Sequence, residues 1–450
     1  MAAAKRCTEA IKATRTPQQL LLVVQQHAAD FDCINLGAAC THAPKLCREG
    51  LAQQQQPAAV QILLSELHQL AVRLQQHCEA RQLANIIHSC SKLCMPDTAK
   101  LMVPLFLQAS ALQHAKPQEV SNVLWAAATL QLKLTAVELR QLLGKLVAVL
   151  AEMNSQEVSN TVWAVAKMGQ KVPRQQMQQL LGRFESVLAS AKPQEVSNTL
   201  WAVAKMGQHV PAQQLQQLLG RFESVLASAK PQEVSNTLWA VATMGQQVRP
   251  QQLQQLLSPF DNMLPATKPQ HVSNLLWACG KMQYTPLPLL QSLQQQHRQQ
   301  LQQLLAAATP QELANMAWAC GQLGYRGRLL PDALLHQAVK LLQDGGAQSF
   351  PIQGLCNLCW SAAVLDLQQC MPQVLQLAAA AHQLFSTASV EELHQLHQVH
   401  MWLQDCHLPA PGQGLLGVLT QQQLEQCRAS WEQRLTAISK QPPSCLQKSV

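Results

Sequence analysis

The chain has 450 residues, of which 48% are hydrophobic and 13% charged, and its net charge of +8 permits an acidic partner such as nucleic acid without requiring one. Ala, Leu and Gln dominate and favour helices, strand-forming residues are too sparse to predict a sheet, and no apolar run approaches the roughly 18 residues of a membrane helix. The sequence contains 15 cysteines and no segment that resembles a secretory signal. Together these observations predict free thiols in a reducing compartment.

Residues 1–16 form a basic N-terminal tail. Lys5, Arg6, Lys12 and Arg15 stand against one acid, Glu9, with Ala and Thr between them. Such a segment fits the remnant of an organellar transit peptide. It also fits a frayed basic terminus, which the composition alone favours.

The sequence of residues 17–115 indicates degenerate N-terminal repeats. Their motif is clearer in the 38-residue repeats that follow. One copy keeps an Asn at Asn85 and has His88 where later copies have Trp; an earlier copy keeps Asn35 and has Ala38 there. The run Gln53–Gln56 is a short low-complexity joint. Terminal repeats are expected to depart from the motif because they cap the core.

Residues 116–309 carry a regular 38-residue repeat. Its Trp residues stand at 125, 163, 201, 239 and 277, and three more follow at 318, 360 and 402 with steps of 41, 42 and 42. The copies at 155–192 and 193–230 differ at only five positions. Each copy is therefore expected to have the same local structure.

One copy predicts two helices, A and B. Helix A extends from about Pro193 to Met206, because Pro suits a first helical turn and Gly207 ends the helix. Its apolar stripe consists of Val196, Leu200, Val203 and Ala204. Helix B begins at Pro211, and its apolar residues follow helical spacing: Leu215, Leu218, Leu219, Phe222, Val225 and Leu226. The connector between helix A and helix B is short, so the two helices are expected to be antiparallel neighbours.

A single helix pair cannot bury its apolar faces, whereas stacked pairs can. The predicted fold is therefore all-α: an α-solenoid, a right-handed superhelix of antiparallel helix pairs, with about ten repeats of 38–42 residues. Residues 310–389 predict longer, degenerate repeats, and residues 390–450 predict a C-terminal helical cap or linker.

The repeated polar residues are the candidate RNA-binding site. A helical wheel places Asn198, Ala202 and Lys205 opposite the apolar stripe, with Trp201 beside it. The Asn row comprises Asn122, Asn160, Asn198, Asn236, Asn274 and Asn315. The position four residues after Trp holds Thr129, Lys167, Lys205, Thr243, Lys281 and Gln322. The position after Asn also varies: Val123, Thr161, Thr199, Thr237, Leu275 and Met316.

A varying position in a constant frame is typical of a reader that assigns one base to each repeat, and equally of an unconstrained surface. Periodicity does not decide between these two interpretations. For Trp, packing on the next repeat is favoured over base stacking. For Asn, a hydrogen bond to the neighbouring helix is slightly favoured over a contact with RNA.

Other residue groups give weak signals for chemistry. Cys356 and Cys359 have C-x-x-C spacing without a second pair and fit helix packing. The seven-residue spacing of Cys33, Cys40 and Cys47 also fits a helix face. The series His394, His397 and His400 drifts around a helix, so it does not converge on a metal. We predict no enzyme activity, no metal and no cofactor.

The motif PQEVSNTLWAVAKMG at 193–207 and the 38-residue period resemble octotricopeptide repeat proteins, over roughly Pro17 to Trp402. The stretches Glu392–Asp405 and Leu419–Leu435 resemble the linker before a RAP domain, and no such domain follows before Val450. The chain is then expected to be a fragment or a paralogue that lost the domain. The resemblance implies binding of single-stranded RNA in an organelle, a chloroplast before a mitochondrion, in transcript stability, processing, splicing or translation.

Two functions follow as hypotheses. The first is sequence-selective binding of a single-stranded organellar transcript, with a footprint of roughly eight to ten nucleotides at one base per repeat and no small-molecule substrate. In it, Lys167, Lys205 and Lys281 contact phosphates or bases. The second is a protein-interaction scaffold, whose binding would survive high salt and nuclease treatment.

Overall fold

A computed structural model describes residues 2–52, 57–208, 210–246, 248–295, 298–327, 329–406 and 414–439. Every regular element among these residues is a helix. The predicted joint Gln53–Gln56 lies outside them. The chain divides into two compact units, Met1–Val225 and Leu226–Val450.

The first unit contains α1 (Ala2–Ala13), α2 (Pro17–Gln26), α3 (Cys33–Ala52), α4 (Pro57–Leu74), α5 (Ala80–Leu93), α6 (Pro96–Phe106), α7 (Ala109–His114), α8 (Pro117–Thr129), α9 (Ala136–Ala148), α10 (Ser155–Met168), α11 (Arg174–Ser186), α12 (Pro193–Lys205) and α13 (Ala212–Ser224). The second contains α14 (Pro231–Thr243), α15 (Pro250–Leu257), α16 (Phe260–Met263), α17 (Pro269–Lys281), α18 (Leu287–Gln295), α19 (Arg298–Ala306), α20 (Pro310–Gln322), α21 (Leu329–Gly345), α22 (Ile352–Leu365), α23 (Met371–Gln383), α24 (Val390–Asp405) and α25 (Gln421–Ser439).

Helix pairs succeed one another along each unit. In the first unit the A-helices α1, α3, α5, α8, α10 and α12 each pack against the next. In the second unit α14, α17, α20, α22 and α24 do the same. The B-helices, such as α9, α11 and α13, pack on the A-helix before them in the chain. This arrangement confirms the predicted all-α solenoid of helix pairs.

Local signals set the ends of each A-helix. Helix α12 begins at Pro193, and the backbone N–H of Lys192 donates to Glu195 Oε2 at 3.0 Å. At the other end Gly207 has a φ of +61°, and its N–H donates to the carbonyl of Ala204 at 3.1 Å. The next N–H, of Gln208, donates to the carbonyl of Val203 at 3.0 Å. This is a Schellman cap, which requires a left-handed residue and explains the predicted stop at Gly207.

The predicted apolar stripes face the core. In α12 Val196, Leu200 and Val203 are buried, as are Leu215 and Phe222 in α13. Val225 and Leu226, predicted to extend the second stripe, are only half-buried because α13 ends at Ser224.

The small residue after each Trp is buried, which corrects the prediction that Ala202 lies on the polar side. Ala202 is fully buried, and the equivalent residues share this state: Ala126, Ala164, Ala240, Ala278 and Ala319. The cause is the close approach of the neighbouring A-helix. A Cβ built on Gly280 would lie 3.3 Å from Ala319 Cα, and one on Gly321 would lie 3.3 Å from Ser361 Cα. Larger residues at either position would force the helices apart.

Polar contacts also join consecutive repeats of the first unit. Ser159 Oγ donates to the carbonyl of Glu195 at 2.9 Å, so α10 is bonded to α12. Arg183 Nε donates to the carbonyl of Met153 at 2.8 Å, and Arg221 Nε donates to that of Ala191 at 2.9 Å. These two arginines therefore have a structural role at equivalent positions.

The packing predicts that Gly321→Ala destabilises the protein. The new Cβ would lie 2.7 Å from Trp360 Cζ3, which forces the ring or the helix to move. We expect unfolding free energy to fall by about 1–3 kcal/mol, the usual effect of overpacking. The urea midpoint measures it. As a control, Gly220→Ala meets no atom within 4 Å and should stabilise α13 by about 0.5–1 kcal/mol. An equal gain in both variants would contradict the proposed close approach.

Candidate nucleic-acid interface

The A-helices present three residues of each repeat on one face: the Asn, the Trp three residues later and the residue four after Trp. Five of the Asn side chains are half-buried: Asn122, Asn160 and Asn198 in the first unit, and Asn236 and Asn274 in the second. Among the residues that the structure describes, these five amides have no hydrogen-bond partner. Each therefore keeps both donor and acceptor groups available to solvent or a ligand.

Three amides at other repeats, those of Asn35, Asn315 and Asn357, are engaged within the protein. Asn35 is fully buried, and its Nδ2 donates to Thr8 Oγ1 at 2.8 Å. Asn357 is buried and accepts from Gln395 Nε2 at 2.8 Å. The Oδ1 of the half-buried Asn315 accepts from Gln311 Nε2 at 2.9 Å. A bond to a neighbouring helix, the favoured interpretation for Asn, thus occurs at Asn35 and Asn357 and not at the five amides above.

The Trp rings form a continuous row within each unit. Trp125, Trp163 and Trp201 have successive centroids 6.3 Å apart with tilts of 30° and 37°. In the second unit Trp239, Trp277 and Trp318 are spaced by 6.3 and 6.4 Å. These distances are those of aromatic pairs in contact. Packing on the next repeat is confirmed, and a base inserted between parallel rings would need about 7 Å.

The position four after Trp lies beside this row. Thr129, Lys167, Lys205, Thr243 and Lys281 are exposed, and Gln322 is half-buried. The ammonium group of Lys281 lies 5.8 Å from the ring centroid of Trp277 and 5.4 Å from that of Trp318. This lysine therefore places its charge over the aromatic row. Thr129 Oγ1 donates to its own helix, at the carbonyl of Trp125 (2.8 Å).

The position after Asn faces the core, so its variation reflects neither of the two interpretations that the sequence left open, a base reader or an unconstrained surface. Its residues are all buried: Val123, Thr161, Thr199, Thr237, Leu275 and Met316. The hydroxyl of Thr161 donates to the carbonyl of Glu157 at 2.8 Å, and that of Thr199 to the carbonyl of Glu195 at 2.9 Å. One residue turns the helix by 100°, which directs these side chains towards the core.

Charge is separated along the A-helices. Carboxylates stand at the N-terminal ends, where Glu119, Glu157 and Glu195 each accept from the backbone N–H three residues earlier at 2.8–3.0 Å. Burial raises the pKa of Glu157, and the hydrogen bond from Asn154 partly offsets this. Exposed lysines stand at and just beyond the C-terminal ends in the first unit: Lys92, Lys133, Lys167, Lys171 and Lys205.

We call these five lysines the lysine edge. The stretches that carry it, residues 88–95, 125–135, 163–173 and 201–211, contain no acidic residue. Sequence reasoning found Lys167 and Lys205 but missed Lys92, Lys133 and Lys171. The signal was present: Lys133 and Lys171 both follow a Trp by eight residues, and Lys92 follows His88 by four.

His88 begins the aromatic row of the first unit. Its ring centroid lies 5.0 Å from that of Trp125, so it occupies the place of a Trp. Burial, and then the charge of Lys92, lower the pKa of His88 to about 4. The ring is therefore neutral at pH 7.

The cysteine and histidine groups have packing roles. Cys356 and Cys359 are fully buried in α22, and burial raises the pKa of the Cys359 thiol to about 12. His394 is buried against α25, with Nε2 3.0 Å from the carbonyl oxygen of Ser430. Among the described residues no cluster of three or more possible metal ligands occurs, and none of their helices is long and apolar enough to span a membrane.

The fold and the repeated face define an α-helical repeat protein. A family model described as "RNA-editing substrate-binding complex 6 protein" matches residues 72–328, which include the lysine edge and six of the Trp residues. The chain belongs to this family. No curated protein matches it significantly.

Two known structures resemble the chain weakly. Yeast Rmd9p in complex with a 16-nucleotide target RNA matches with a TM-score of 0.39 and 11% identity, over 90% of this chain and 85% of that one. A homology model of the full-length AP-3 complex in an intermediate open conformation matches with a TM-score of 0.34 and 11% identity, over 96% and 92%.

The lowered pKa of His88 predicts a specific loss of stability in acid. Well above pH 6.5 the imidazole is neutral in both states. As the pH falls through 6.5 towards 4, the unfolded chain gains a proton that the folded chain does not, so the folded state loses stability. His88→Phe keeps a ring and removes this loss. We expect the difference in melting temperature between pH 7 and pH 5 to be smaller in the variant. The exposed His77, changed to Phe, is the control, and equal acid sensitivity of His88→Phe and the wild type would refute the assignment.

Proposed function

We propose that the protein binds single-stranded RNA along the face that the A-helices form within each unit. The observation that carries this proposal is the set of half-buried amides without hydrogen-bond partners among the described residues, three in the first unit and two in the second. An amide offers a donor and an acceptor in one plane, which suits the edge of a base. Unstacked bases of single-stranded RNA are the form in which such edges are accessible.

The lysine edge gives this face its electrostatic attraction. Phosphates would lie beside the C-terminal ends of the A-helices, where exposed ammonium groups are not neutralised by nearby acids in the sequence. Within one helix, Asn198 and Lys205 are seven residues apart, or roughly 10 Å along the axis. That separation allows one nucleotide to place its base near the amide and its phosphate near the lysine.

Membership of the family supports RNA over a protein partner. The family description names an RNA-editing substrate-binding complex, and we infer from it an RNA ligand for this chain. We further propose sequence-selective recognition of an organellar transcript in RNA processing, stability or translation, as the octotricopeptide resemblance implies. Three points stay predictions: the RAP-like linker, the footprint of one base per repeat, and the preference for a chloroplast.

Lys205→Ala should weaken RNA binding through the loss of one phosphate contact. For single-stranded RNA, the slope of log affinity against log salt should decrease by about 0.7. Fluorescence anisotropy over a salt series measures this slope. The control is Lys192→Ala, because Lys192 is also exposed but lies at the N-terminal end of the same helix. An unchanged slope in Lys205→Ala would remove that lysine from the interface, and wild-type binding that resists high salt and nuclease would favour the scaffold.

The near-identical copies 155–192 and 193–230 provide a test of selectivity. If each repeat contacts one base, in-vitro selection should give the same base at two adjacent positions, since both copies present Asn and Lys. Lys205→Thr, which introduces the residue found at Thr243, should change the preference at one of these positions. Gln216→Thr on the exposed side of α13 is the control. If the selected RNAs share no common motif, the proposal of base-specific contacts is wrong.

A further inference from the structure

The first unit contains a second basic feature, at the end of the aromatic row. Helix α12 ends four residues after Trp201, whereas α3 continues fourteen residues beyond Ala38, which occupies the equivalent position. The additional length is more than two helical turns. It carries Lys45 and Arg48, both exposed, past the level at which the other A-helix ends.

A cavity of about 280 Å³ lies between this extension and α5. Lys45, Arg48 and Glu49 line it from α3, and Asn85, His88 and Lys92 line it from α5. Its volume is near the lower end of the range for small-ligand sites, enough for a phosphate group and part of its nucleoside. The smaller ring of His88 in place of an indole leaves room on this side of the row.

The charges that line the cavity favour an anion. Three cations face one carboxylate, and no ion pair among the described residues includes any of them. Burial and the charge of Arg48 lower the pKa of Lys92, so these two cations are close enough to repel each other. His88 Nδ1 is buried and has no hydrogen-bond partner among the described residues. An anion in the cavity would relieve the repulsion.

The cavity also lies where the repeated surface stops. In the preceding repeat Asn35 is buried and bonded to α1, and Ala38 offers no ring. A strand that follows the amides and rings from Trp201 towards His88 therefore meets no equivalent groups beyond Asn85, and the extension of α3 stands beside its path.

We propose that this cavity binds the terminal phosphate of an RNA strand, an inference that rests on the proposed RNA binding. A terminal phosphomonoester carries up to two negative charges and three acceptor oxygens, and an internal phosphodiester carries one charge. Two lysines and an arginine can satisfy both its charge and its acceptors through charge-assisted hydrogen bonds. The cavity chemistry is the same for a 5′ or a 3′ phosphate, and the experiment separates these sources.

The test uses the full chain and one RNA pool of fixed length, enriched for binding by the in-vitro selection proposed above and prepared with a 5′ phosphate, with a 3′ phosphate, or with hydroxyl groups at both ends. We expect one phosphorylated pool to bind about tenfold more tightly than the hydroxyl pool. The double variant Lys45→Ala/Arg48→Ala should lose this ratio and retain binding of the hydroxyl pool. Lys192→Ala should retain the ratio, and circular dichroism verifies that each variant is folded.

The outcomes distinguish the two proposals. Equal binding of all three pools overturns the terminal-phosphate site and leaves RNA binding by the A-helix face in place. A phosphate preference that persists in Lys45→Ala/Arg48→Ala also overturns the site, because the preference then arises elsewhere. If none of the pools binds, both proposals fail.

Discussion

The close approach of neighbouring A-helices is the constraint on which the rest of the structure depends. It requires a small residue directly after each Trp and another three residues after it, where Ala319 meets Gly280 and Ser361 meets Gly321. Because the backbones are held at this distance, each Trp ring rests on the preceding repeat and the rings fall into rows. The register of the rings in turn fixes the register of the amides on the same face. A repeated surface with a constant step within each unit therefore follows from backbone packing.

The same packing explains the distribution of charge. The helix dipole favours acids at the N-terminal ends and cations at the C-terminal ends, each by about 0.3–1 kcal/mol. Glu195 serves the first role through its bond to the N–H of Lys192, and Lys205 stands in the last turn for the second. Parallel A-helices add these preferences along the array. A basic edge is thus compatible with stability, and RNA binding would use charges that the helices already favour.

Much of the fold could be predicted because each repeat contains residues that mark where its helices begin and end. The first-turn Pro193, the Schellman glycine Gly207 and the apolar spacing define both helices to within a residue or so. The surface was harder to predict, since a helical wheel assumes one packed side. An A-helix inside the array has an A-helix on each side and a B-helix behind it, so Ala202 and Thr199 are buried and only a narrow face remains.

The cavity could not be predicted for a different reason. It depends on α3 continuing through Pro44, although proline in a helix interior usually ends or bends the helix at a cost of about 3 kcal/mol. A sequence rule would have ended the helix there and placed Lys45 and Arg48 in a loop. Only the folded chain brings them opposite Lys92.

The asparagine side chains of the A-helices show how burial decides whether a polar group is available to a ligand. Asn357 is buried, so leaving it unpaired would be costly, and Gln395 supplies the bond. Asn160 and Asn198 are only half-buried. The glutamines equivalent to Gln395 in the repeats that follow them, Gln194 and Gln232 respectively, are exposed and do not bond to them. These groups are partly accessible to water in the free protein. A base edge would exchange that water for bonds of similar strength, so the energy of selection would come from mismatched bases that leave an amide unpaired.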